Sequence, residues 1–109
     1  MHEVREFYER VLTVVDMFLR HAKSDLTVEA LSKLDPSLKE VAQIMDLLAS
    51  IITSLVNDGD YDSHNMSSNA QQISLILKQI KSTVENENQA RLGELVEELE
   101  IITRVPVPT

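Results

Sequence analysis

LKEVAQIMDLLASIITSLV, residues 38–56, places Leu38, Val41, Met45, Leu48, Ile52 and Leu55 at alternating three- and four-residue steps. That spacing puts all six on one seam of an α-helix. Ala42, Ile44, Leu47, Ala49, Ile51 and Val56 widen the seam until most of the circumference is apolar. Such a helix is expected at the centre of a small helical domain, buried between several neighbours. Asp35-Pro36 sets its start, because aspartate is a strong N-cap and proline at the first helical position loses no hydrogen bond.

Working outward from this hub, three further amphipathic segments emerge. Residues 3–22 carry Val4, Phe7 or Tyr8, Val11, Leu12, Val15, Phe18, Leu19 and Ala22 at helical spacing, and Arg20, His21 and Lys23 gather where the helix dipole favours positive charge. Between this helix and the hub, Thr27 can cap a short crossing helix near 27–33. After the hub, the polar run NDGDYDSHNMSSN, starting at Asn57, reads as a long turn, with Gly59 available to close the hub helix and Ser67 or Ser68 to cap the next. The third long helix, near 67–85, has Met66, Ala70, Ile73, Leu77, Ile80 and Val84 on its seam and Gln71, Gln72, Ser74, Lys78, Gln79 and Lys81 opposite. Asn86 and Gln89 have the spacing of a capping box, predicting a fresh helix near 87–103 with Leu92, Leu95, Val96, Leu99 and Ile102 inward.

The fold class is therefore all-α: an antiparallel four-helix bundle with helices near 3–22, 36–57, 67–85 and 87–103, plus the crossing helix. Residues 1–104 form one helical domain. The proline-spaced residues 105–109, VPVPT, extend from it as a C-terminal tail. Two glycines and three prolines in 109 residues suit long helices joined by short turns. Only Phe7, Tyr8, Phe18 and Tyr61 are aromatic, so the core is expected to be aliphatic outside the first helix.

Composition closes several routes to chemistry. With no cysteine there is no disulfide, no thiolate catalysis and no cysteine-based zinc site. A net charge of −8 disfavours direct contact with nucleic acid or an anionic membrane, which needs clustered lysine and arginine. No apolar run approaches the length of a membrane span, and MHEVREFYER lacks the apolar core of a signal peptide, so a cytoplasmic protein is expected.

The acids at Asp58, Asp60 and Asp62 alternate like the start of a calcium loop, but its sixth and twelfth positions are Ser63 and Asn69 rather than glycine and glutamate. The histidines, His2, His21 and His64, form no one-turn pair of the kind helical metal sites use. Neither metal nor cofactor is expected. Glu94, Glu97 and Glu98, in GELVEELE, resemble the first acidic motif of the MazG-type nucleotide pyrophosphohydrolases. That resemblance implies magnesium held by these glutamates in a helical enzyme. The family also uses a second acidic motif on a later helix; Glu40 and Asp46 on the hub have unsuitable spacing for it.

These readings favour a non-enzymatic interaction module, a small acidic adaptor, chaperone or regulator that binds a protein partner through a helix face. Its candidate contact residues are Phe7, Tyr8, Val14 and Phe18, which exceed what the first helix can bury, together with Glu94, Glu97 and Glu98. The aromatic excess also allows a homodimer. An acidic inhibitor that mimics nucleic acid is the alternative, using the six glutamates that face one arginine between Glu85 and Glu100 together with Asp58, Asp60 and Asp62. A metal-dependent pyrophosphohydrolase-like enzyme stands third.

Overall fold

The computed structural model describes residues 2–33, 35–55 and 61–104. Five helices follow one another: α1 (His2–Ser24), α2 (Val28–Ser32), α3 (Asp35–Leu55), α4 (Tyr61–Glu85) and α5 (Gln89–Thr103), with no strand among the described residues. The four long ones form the all-α bundle, and α2 crosses between α1 and α3 against α4. Thr27 caps α2, its side-chain oxygen accepting from the Ala30 amide. The expected tail and the acids at 58 and 60 lie outside the described residues.

The core is the set of predicted seams brought together. Met45, Ile52, Ile73, Leu77, Ile80, Leu92 and Leu99 are completely buried, with Val15 and Ala22 from α1 closing one side. The most extensive pairing joins α3 to α4, where the buried side chains Ala42, Ala49, Ala70, Ser67 and Ser74 are small. Small residues let two backbones approach, and polar groups then have to bond across the gap. Ser74 Oγ donates to the Ala42 carbonyl at 3.3 Å. Thr53 and Ser67 share a hydroxyl–hydroxyl bond of 2.7 Å.

Ser74 was expected on the solvent face of its helix and is buried instead. The α3 backbone carbonyl satisfies its hydroxyl, which removes most of the cost of burial. A second difference lies at the start of α4, which begins at Tyr61 rather than near 67. Met66 and Ser67 are buried against the bundle, and packing outweighs the turn-forming composition of that stretch.

The junction between α4 and α5 is a true break, built differently from the expected capping box. Glu87 adopts the left-handed conformation, with φ 55°. The Asn88 amide reaches the Thr83 carbonyl and the Glu87 amide reaches that of Val84, the paired bonds of a Schellman ending. Asn88, not Asn86, then caps α5.

This frees Gln89 for a different task. Its Nε2 donates to the Leu26 carbonyl at 2.6 Å, and its Oε1 accepts from the Val28 amide at 2.9 Å. One side-chain amide thus clamps the turn that leads into α2. Gln89→Ala is expected to lower stability by about 1 kcal/mol, the net worth of exposed neutral hydrogen bonds rather than their gross strength. A urea midpoint identical to wild type would show that water replaces both bonds without loss.

Candidate interaction surface

Neighbouring packing leaves one side of the bundle incomplete. α3 contacts α4 along its length and α1 along one edge. Two neighbours cover the seam centred on Met45 and Ile52 but not the apolar residues that widen it. Ile44, Leu47 and Ile51 therefore face solvent, Leu47 with 62% of its surface open. The expectation that the hub is buried all round is corrected here.

The adjacent edge of α1 is exposed in the same way. Phe7, Val14 and Met17 are about half open, at 48, 45 and 55%. α1 and α3 run antiparallel, and a groove of about 250 Å³ lies at each end of their shared face. One is walled by Glu3, Val4 and Phe7 with Ile44, Leu47 and Ile51. The other is walled by Val14, Met17, Phe18 and His21 with Leu38 and Val41. Of the eight large apolar side chains exposed among the described residues, six belong to this face; Leu75 on α4 and Ile101 on α5 are separate.

Of the sequence-predicted contact residues, the structure brings Phe7, Val14 and Phe18 to this face, with Phe18 half-buried in a groove wall. Tyr8 is not there. It is 1% exposed and belongs to the core, and burial pushes its phenol up to about 12. Sequence reasoning missed the α3 half of the surface. The available signal was a hub carrying more apolar residues than one seam needs, which a buried helix and an uncovered one share.

Glu94, Glu97 and Glu98 are exposed on α5, which packs against α4 and α1, and none of them lines either groove. The acids between 85 and 100 do not form an unbroken row. Lys81 pairs with Glu85 and Arg91 with Glu94. Glu100 lies between Lys23 at 2.9 Å and Arg104 at 2.6 Å. The Lys23 hydrogen bond holds its carboxyl below the usual range against the opposing pull of partial burial, and the Arg104 charge adds to it. This junction ties the C-terminal ends of α1 and α5 together.

No group of three or more histidine, cysteine, aspartate or glutamate side chains converges as a metal site among the described residues. No described helix is long and apolar enough to cross a membrane. Comparison with family models, with curated proteins and with solved structures finds no match for this chain.

Proposed function

We propose that this protein is a non-enzymatic interaction module that docks through the exposed α1/α3 face. The observation that carries this reading is the concentration of six large exposed apolar side chains on two adjacent helices. Scattered apolar residues are ordinary on a protein surface, whereas a contiguous apolar face with grooves is the usual feature of a binding surface. The acidic remainder of the surface keeps the free chain soluble.

A photoreactive benzoylphenylalanine at position 47, compared with one at position 75, tests the reading in living cells. Both wild-type residues are exposed leucines, so neither replacement disturbs the core. Covalent adducts are expected from position 47 and not from position 75. Equal labelling at both sites, or none at either, would remove the face as the functional surface.

A further inference from the structure

We infer that the occupant of the α1/α3 face is a second copy of this chain, related by a two-fold axis; this rests on the docking reading above. The first support is area. α1 and α3 have 23 and 21 residues, hence a face about 30 Å long and, for two packed helices, about 20 Å wide. Covering it on both copies buries on the order of 1,200 Å², the lower end of what specific interfaces require.

The second support is charge. The chain as a whole carries −8, so most of its surfaces repel a second copy. This face does not. α1 is balanced, with Glu3, Glu6, Glu9 and Asp16 against Arg5, Arg10, Arg20 and Lys23. On α3 the charges are Asp35, Lys39, Glu40 and Asp46, of which Lys39 and Glu40 offset each other and Lys78 pairs with Asp46 at 3.3 Å. A basic or acidic partner helix would find little opposite charge to recognise, whereas another neutral apolar face fits.

The third support is the layout of the face. Two grooves of about 250 Å³ each sit at its opposite ends, and the two most exposed large apolar side chains of the face, Leu47 and Met17, belong one to each. A two-fold axis lying across the helices sets the Leu47 end of one copy against the Met17 end of the other. Each protruding side chain then meets the other copy's groove, and both contacts repeat by symmetry.

Sedimentation velocity from about 1 to about 200 μM tests the pairing over the range where a micromolar dimer dissociates. The mass is expected to rise from 12.3 kDa towards twice that value. Leu47→Glu and Met17→Glu should each weaken association at least tenfold, because both bury an unpaired carboxylate, while Ile101→Glu leaves it unchanged. Circular dichroism checks that each variant stays helical, and either of the two suffices if the other unfolds. A wild-type chain that remains monomeric throughout, or a dimer indifferent to both substitutions, overturns the inference. Monomeric wild type with a foreign adduct at position 47 would sink self-pairing and keep the docking reading; monomeric wild type with no adduct would sink both.

Discussion

Ile52→Ala is expected to remove about 2–5 kcal/mol of folding stability, and Leu48→Ala a similar amount, as truncations that leave a cavity in a packed core. Ile52 is fully buried and Leu48 nearly so. Leu47→Ala, beside them on α3, should cost less than about 0.5 kcal/mol, since its side chain is mostly in solvent. Chains of this size are held by only about 5–15 kcal/mol, so the core substitutions consume a large share of the total. Urea denaturation at low micromolar concentration, where association contributes little, gives all three values. Equal losses at positions 47 and 52 would mean that α3 is rotated about its own axis, with Leu47 turned towards the core.

Tyr8 carries the second large effect. It is the one aromatic side chain fully buried among the described residues, and Tyr8→Ala should cost about 3–5 kcal/mol. Tyr8→Phe keeps the ring and removes the buried hydroxyl, with an expected change within about 1 kcal/mol of zero. The two tyrosine variants separate packing from titration. In the folded chain the phenol ionises near 12, and in the unfolded chain near its ordinary value of 10.0. Between these values the unfolded state has released a proton that the folded state still holds. Stability is therefore unaffected below pH 10 and falls as pH rises towards 12, by about 1.4 kcal/mol per pH unit. Thermal midpoints across that range should drop more steeply for wild type than for Tyr8→Phe. Parallel curves would show that the hydroxyl reaches water in both states.

The helices were legible because each seam repeats at helical spacing over several turns. Leu92, Leu95 and Leu99 needed nothing beyond their own sequence to be placed inward, and they are buried. What the periodicity could not supply was the number of neighbours each helix meets. Phe7 and Tyr8 are consecutive on the same wheel, and only the placement of the neighbouring helices decides that Tyr8 is core and Phe7 is surface. Ile44, Leu47 and Ile51 were read inward for the same reason. Ser74 was misplaced because polarity predicts exposure until a backbone carbonyl, here that of Ala42, offers a bond. Gln89 shows a similar limit: its spacing from Asn86 suggested a local cap, while its actual partners lie more than sixty residues away.

That distance has a kinetic meaning. The α3–α4 hairpin and its extension into α5 join elements that follow one another in the chain, so they can assemble early at small loop-closure cost. Beyond the local Thr27 cap, the turn at residues 26–28 cannot acquire its two bonds to Gln89 until the first residue of α5 is in place. α2, a single five-residue turn, is too short to persist alone. It is expected to order last during folding and to open first in the native state, its amides exchanging with solvent ahead of those in the long helices when hydrogen exchange is followed residue by residue.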